Sequence, residues 1–125
     1  MFGDTKAFSG FAAPDPEALE PFYRDTLGIR TSLEDGLLTL HLAGGERPTL
    51  VYAKPDFEPA TYTILNFPVE DVEAAVDELT SRGVAFERYE GFDQDEKGIV
   101  RGQGPDIAWF RDPVGNILSV LTATL

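Results

Sequence analysis

Few side chains in this sequence have the chemistry of a catalytic group. The chain has one histidine, His41, and no cysteine, which excludes a thiol nucleophile, thiolate metal ligands and a two-histidine metal site. The groups that could act as a general acid or base are His41, Tyr52, Asp93, Glu96 and Arg101. No nucleophilic triad or zinc motif is present, and Gly102-Gln103-Gly104 is too short to cradle a phosphate.

Length and charge narrow the class of protein. The 125 residues are enough for one domain, 1–125, and 42% of them are hydrophobic, as in ordinary globular proteins. The net charge of −12 repels phosphate backbones and anionic lipids, so we expect no nucleic-acid partner. No apolar run reaches the ~20 residues of a membrane helix, and no basic and apolar leader opens the chain. We therefore expect a cytoplasmic protein with no membrane partner.

One stretch of the chain occurs twice, about 56 residues apart. With that offset, Phe11 aligns with Phe67, Asp15 with Asp71, and Glu17 with Glu73. Two copies within one small chain predict two structural units related by a pseudo-twofold axis.

The predicted elements of both copies follow the order βαβββ. Asp15 and Asp71 are typical helix N-caps, Gly28 and Gly83 are typical helix stops, and Pro21 predicts a bend in the first helix or a late start. Asp35-Gly36 predicts a tight hairpin, and Asp112-Pro113-Val114-Gly115-Asn116 a turn. The predicted strands are 6–13, 29–34, 37–42 and 48–54 in the first unit, and 61–69, 84–89, 107–111 and 116–122 in the second. The fold class is α+β, with units of about 5–54 and 61–122.

The repeat, the helix segment from Phe22 to Gly28 and the closing turn together resemble the vicinal oxygen chelate superfamily, which includes glyoxalase I, bleomycin-resistance proteins and extradiol dioxygenases. The resemblance covers essentially the whole chain. It implies curled mixed sheets that form a cup, and a homodimer. The ligand positions of the metal enzymes in that family fall on Phe8, Ile64 and Ser119, and within Thr49–Tyr52. None is a histidine or a carboxylate, so we expect no bound metal and no cofactor.

Strand alternation assigns side chains to the expected cup. If Phe11 and Ala13 pack on the first helix, Phe8 faces the cup; by the same argument Ile64 and Asn66 face it, as does Ser119. Trp109 and Phe110 are adjacent, so one large aromatic side chain must face the cup. The expected ligand-binding residues are Phe8, His41, Tyr52, Ile64, Asn66, Trp109 and Ser119.

Three functions agree with such a cup. The leading hypothesis is a metal-free protein that binds a mostly apolar or aromatic small molecule, with the acidity weakly favouring a cationic one. The alternatives are a metal-independent isomerase or lyase, and a non-catalytic interaction subunit whose cup is filled by its own side chains. The polar segment 90–105 is either a solvated connection or a mobile cover whose Lys97 or Arg101 meets an anionic ligand group.

Overall fold

A computed structural model describes residues 1–123 of the chain. They form two compact units, Met1–Glu58 and the part from Pro59 onward. Each unit contains one small mixed sheet and one α-helix, and the first unit also has a 3₁₀ turn over Ala43–Gly45, which confirms the predicted α+β class. Within the described residues, no helix is long and apolar enough to cross a membrane.

The first unit contains a four-stranded sheet in the order β1-β4-β3-β2, with β1 parallel to β4 and the other neighbours antiparallel. Its strands are β1 (Ser9–Ala13), β2 (Arg30–Glu34), β3 (Leu37–Leu42) and β4 (Arg47–Ala53). Between β1 and β2 lies helix α1 (Pro16–Pro21), which continues as a π-helical turn over Phe22–Thr26.

The predicted irregularity at Pro21 is a change in the helical hydrogen-bond pattern. Pro21 has no N–H to donate, and directly after it the backbone widens, so that Leu27 N donates to Phe22 O at 3.0 Å. Leu19 and Tyr23 of this segment are buried, and the Tyr23 ring lies 6.0 Å from the ring of Phe11 on β1. The helical segment therefore covers the face of the sheet to which Phe11 belongs.

The hairpin between β2 and β3 turns at Asp35-Gly36, as predicted. Both residues have positive φ, 52° and 78°, which is the backbone of a type I′ turn. This two-residue turn pairs Glu34 with Leu37 and, four positions further from the turn, Arg30 with His41.

The second unit contains a three-stranded sheet in the order β5-β7-β6. Its elements are β5 (Thr63–Val69), helix α2 (Val72–Ser81), β6 (Ile107–Arg111) and β7 (Ile117–Thr122). The Asp71 carboxylate caps α2 by accepting a hydrogen bond of 3.0 Å from Ala74 N. Asp15 stands at the corresponding start of α1 but makes no side-chain cap bond.

The turn between β6 and β7 is organised by Asp112. The buried Asp112 carboxylate accepts hydrogen bonds from Val114 N at 3.1 Å, from Asn116 N at 2.9 Å and from the Asn116 side chain at 3.1 Å. This turn aligns Arg111 with Ile117 and so sets which residues of β6 and β7 share a face.

The predicted strand over 84–89 is wrong. Only Phe86 forms an isolated bridge, to Phe110, and Glu87 N donates to Trp109 O at 2.8 Å. Beyond this point the backbone bonds to one side chain instead of a strand: Gln94 accepts from Tyr89 N at 2.8 Å and donates to Glu87 O at 3.0 Å. The Gln94 amide satisfies the backbone groups that a strand partner would otherwise take.

The segment 90–105 is more than a solvated connection. Ile99 and Val100 are buried, and Val100 exchanges backbone hydrogen bonds with Ile107 of β6. Lys97 Nζ lies 2.8 Å from an Asp77 carboxylate oxygen, and Arg101 Nη2 lies 2.8 Å from a Glu73 oxygen. Because Glu73 and Asp77 belong to α2, the middle of the segment is attached to that helix.

Candidate functional site

The two faces of the second sheet differ in what covers them. On one face, the Phe110 and Phe86 rings pack with their centroids 5.5 Å apart. Phe86 also lines a surface cleft of about 400 Å³ together with Val76 and Thr80 of α2, so this is the helix side. Trp109 alternates with Phe110 and pairs with Ser119, which pairs with Asn66. Asn66, Trp109 and Ser119 therefore define the opposite face, called here the helix-free face of the second sheet.

Two polar side chains meet on this face. The Ser119 hydroxyl donates a hydrogen bond of 2.6 Å to Asn66 Oδ1. Ser119 is fully buried in the central strand, whereas Asn66 is exposed on the edge strand. Among residues 1–123, no partner is found for the Asn66 amide N–H₂, so its donors are available to a ligand. The structure thus places both side chains on one face of the sheet, and their role in binding a ligand stays a prediction.

An aromatic cluster adjoins this pair. The Trp109 ring lies 5.2 Å from the Phe92 ring and 5.6 Å from the Tyr89 ring, measured between centroids. Phe92 is 53% exposed, so the cluster presents an aromatic surface to solvent. The sequence predicted that either Trp109 or Phe110 lies on this face, and the residue that does is Trp109. Phe92 was not predicted, because it lies in a stretch dominated by charged residues and glycine.

The phenol oxygen of Tyr89 is buried near the Arg111 guanidinium, without a hydrogen bond of ordinary geometry to any described residue. Burial raises the pKa of Tyr89, and the nearby Arg111 cation opposes that rise. Tyr89 is therefore a neutral hydrogen-bond donor at physiological pH, and its ring belongs to the same aromatic cluster as Trp109.

Ile64 lies at an irregularity in β5. Thr63 pairs with Ile117 and Leu65 with the next residue, Leu118, so Ile64 is an extra residue without a counterpart on β7. Alternation along β5 consequently does not decide where its side chain points. Asn66, which follows the bulge, is unaffected because pairing is regular from Leu65 onward.

In the first unit, the face opposite α1 contains His41 and Tyr52. Both alternate with residues of the buried face, such as Leu40 and Val51. Tyr52 is 47% exposed, and Phe8, one residue before β1, is 64% exposed. This face is called here the helix-free face of the first sheet. Besides His41 and Tyr52, the strand register places on it Arg30, Ser32, Leu37 and Leu50.

His41 is not isolated on this face. Its Nε2 atom lies 2.6 Å from the Ser32 hydroxyl, a contact that sequence reasoning did not identify. The Asp35-Gly36 turn carried the information needed, because a two-residue hairpin loop determines which residues of β2 and β3 are neighbours.

The other acid and base candidates lie in the segment beside α2. Arg101 contacts the carboxylates of Glu73, Asp95 and Asp106 at 2.8, 3.2 and 3.2 Å, and these groups raise its pKa, the Asp95 hydrogen bond most strongly. The Glu96 backbone carbonyl accepts from Arg88 at 2.6 Å, and Asp93 is exposed. The Arg101 guanidinium is thus ion-paired with three carboxylates.

The residues at the family's metal-ligand positions do not fit a divalent metal. Phe8 and Ile64 have no donor atoms, and the Ser119 hydroxyl is engaged by Asn66. Within residues 1–123, no three histidine or acidic side chains are grouped closely enough to hold a metal ion. Imidazole or carboxylate donors are what such a site requires.

Several solved structures share this fold at low sequence identity. A member of the glyoxalase/bleomycin resistance protein/dioxygenase superfamily from Sphaerobacter thermophilus DSM 20745 is 22% identical with a TM-score of 0.71, covering 94% of this chain and 96% of that chain. The antibiotic binding protein TnmS3 from Streptomyces sp. CB03234 is 22% identical with a TM-score of 0.69, covering 94% and 96%. The fosfomycin resistance protein FosX from Mesorhizobium loti is 13% identical with a TM-score of 0.63, covering 95% and 92%.

No curated protein sequence matches the chain significantly. The sequence model of one family does match. It spans residues 8–120, from the residue before β1 to Val120 in β7. Since the match takes in both units and every strand of both sheets, the protein belongs to the Glyoxalase/Bleomycin resistance protein/Dioxygenase superfamily.

Proposed function

We propose that this protein binds a small, mostly apolar or aromatic molecule on a helix-free sheet face, without a metal ion, as a cytoplasmic homodimer. The observation that carries the proposal is the aromatic cluster of Trp109, Tyr89 and the exposed Phe92 beside the Asn66–Ser119 pair. Small-molecule sites combine such apolar surface with a few fixed polar groups.

The cluster and the polar pair have complementary tasks. Offset or edge-on contacts with Trp109 and Phe92 would hold a flat ring, each contributing about 0.5–1.5 kcal/mol beyond area burial. The Asn66 amide, with its oxygen already bonded to Ser119, would offer its N–H₂ group to a carbonyl or ether oxygen of the ligand. The antibiotic binding protein TnmS3, which shares the fold, supports this assignment.

The ion pairs of the segment 90–105 favour a binding protein over an enzyme. An enzyme of this fold without a metal would need an available acid or base near the ligand, but Arg101 and Lys97 are held by acids, including Glu73 of α2. The contact between Ser32 and His41 favours a second candidate, a metal-independent isomerase or lyase, in which His41 would transfer the proton.

The single tryptophan makes the proposal directly testable. We expect the one indole N–H signal of Trp109 in a ¹H–¹⁵N NMR spectrum to shift on titration with 2-naphthamide, a neutral aromatic amide. Trp109→Leu should weaken binding of this probe about fivefold. Because that variant has no indole signal, its binding is measured from the Asn66 side-chain amide signals. Tyr62→Ala is the matched control, since Tyr62 is 70% exposed and lies outside the cluster. Saturating probe without any shift would disprove ligand binding at this face.

A further inference from the structure

Three polar residues, Arg30, Ser32 and His41, belong to the helix-free face of the first sheet. The hairpin pairs Arg30 with His41, and the Ser32 hydroxyl lies 2.6 Å from His41 Nε2. Successive residues on one face of a strand lie about 7 Å apart, and paired residues about 5 Å apart. The three side chains therefore start from neighbouring positions on one face of the sheet.

The Arg30 cation has no acidic partner. The chain carries 22 acidic residues, yet within residues 1–123 no carboxylate oxygen lies within 4.0 Å of the Arg30 guanidinium. Most other cations of the chain are paired: Arg24, Lys54, Arg82, Lys97, Arg101 and Arg111. The donors of Arg30 are therefore available to an external anion.

The Arg30 guanidinium lies against a glycine. Arg30 Nη2 lies 2.5 Å from where the Cβ of any other residue would stand at position 45, a distance that atoms in contact do not adopt. Gly45 has a φ of 100°, in the left-handed region that favours glycine. The connection between β3 and β4 thus leaves space for the Arg30 side chain against its backbone.

Apolar groups continue the same face. Leu50 pairs with Thr39, which pairs with Ser32, so Leu50 stands two strands, or about 10 Å, from Ser32. Tyr52 and Leu37 lie on this face at the end nearer the hairpin turn, and both are exposed. The distance of about 10 Å from Leu50 to the Ser32 position suits a ligand larger than a single ring.

We infer that the helix-free face of the first sheet recognises aromatic carboxylates, with the carboxylate bound by Arg30 and the Ser32–His41 pair and the ring on Leu50 and Tyr52. This rests on the proposed function and specifies the class of ligand. A guanidinium presents N–H groups in a fork that matches a carboxylate, and hydrogen bonds to ions are about twice as strong as neutral ones. The net charge of −12 does not prevent this, because charges beyond ~8 Å are largely screened at physiological salt.

The test compares two probes of the same shape, 2-naphthoate and the neutral 2-naphthamide, by calorimetry and by NMR of the Arg30 Nε–Hε signal. We expect 2-naphthoate to bind about tenfold more tightly, and Arg30→Gln to abolish this preference while leaving 2-naphthamide affinity unchanged. Ser32→Ala should reduce the preference by a smaller factor.

Arg47→Gln is the matched control. Arg47 also lacks an ion pair within the described residues, and its change removes the same charge, but its pairing with Leu42 places it on the other face of the sheet. The preference should survive in this variant. Equal affinity of the two probes, or an equal loss of preference in Arg47→Gln, would overturn the inference and leave the proposed function standing. Failure of both probes to bind would overturn both.

Discussion

The Ser119 hydroxyl and the Asn66 side-chain oxygen are 2.6 Å apart and join β7 to β5 at residues that the parallel register pairs directly. The donor is fully buried and the acceptor belongs to an exposed residue. The bond therefore fixes the orientation of a surface amide from beneath, which is how a polar group on an apolar surface is prepared for a ligand.

Removing that hydroxyl should affect binding more than folding. In Ser119→Ala the Asn66 amide loses its fixed orientation, and we expect 2-naphthamide to bind severalfold more weakly. The free energy of unfolding should fall by about 1 kcal/mol, the typical net value of one hydrogen bond. Calorimetric titration and urea unfolding measure the two effects. Ser81→Ala, which removes an exposed hydroxyl bonded to Glu78 O, is the control and should leave binding unchanged.

The attachment of the 95–101 segment to α2 should depend on Arg101. Arg101→Gln leaves Glu73, Asp95 and Asp106 without their shared cation, so we expect faster amide exchange at Ile99 and Val100. Arg24→Gln makes the same charge change in the first unit, where Arg24 pairs with Glu20 and Asp25, and should not alter those amides. Unchanged exchange in Arg101→Gln would show that the other contacts of the segment, the Lys97 ion pairs and the burial of Ile99, are sufficient to hold it.

Asp95 should make the stability of this segment pH-dependent. Burial disfavours its charged form, but hydrogen bonds from Ile99 N, Lys97 N and Arg101 outweigh burial and lower the pKa of Asp95. A lowered pKa contributes stability above the unfolded value of about 3.9, and that contribution is lost as the pH falls through the folded value. Asp95→Asn should therefore be destabilised at pH 7, with the difference from the native chain shrinking below pH ~4.

The exposed Asp93 supplies the comparison for that experiment. Asp93→Asn should unfold like the native chain throughout the same pH range, measured by thermal melts in matched buffers. A difference between Asp95→Asn and the native chain that persists unchanged at low pH would contradict the ionic origin of the effect.

We expect no stoichiometric divalent metal in the purified protein, because Phe8 and Ile64 provide no donor atoms. Elemental analysis should find less than one zinc, nickel, iron or manganese per ten chains, and a chelator should leave the melting temperature unchanged. A full equivalent of metal that disappears in Ser119→Ala would contradict this expectation.

We also expect a homodimer, as the family resemblance implies. Native mass spectrometry of freshly purified protein should give twice the chain mass of 13.7 kDa, with any copurified small molecule visible as an added mass. A monomer at micromolar concentration would refute the expectation. This measurement is independent of the probe titrations.

Local signals in the sequence were sufficient for most of the fold. The Asp35-Gly36 turn and the alternation along β7 correctly predicted the hairpin and the face of Ser119, since turn chemistry and strand period are properties of neighbouring residues. The strand over 84–89 was wrong because the backbone there bonds to Gln94. Such side-chain competition leaves no periodic pattern, and for the same reason the burial of Ile99 was not foreseen.

The bulge at Ile64 separates two parts of β5 that can change independently. Deleting residue 64 would make the pairing between β5 and β7 continuous, because Thr63 and Leu65 already face the consecutive residues Ile117 and Leu118. Asn66 and Ser119 would keep their register, since pairing is regular from Leu65. Position 64 is therefore a place where β5 can lengthen or shorten by one residue without disturbing the hydrogen-bonded pair of Asn66 and Ser119 at the centre of the sheet.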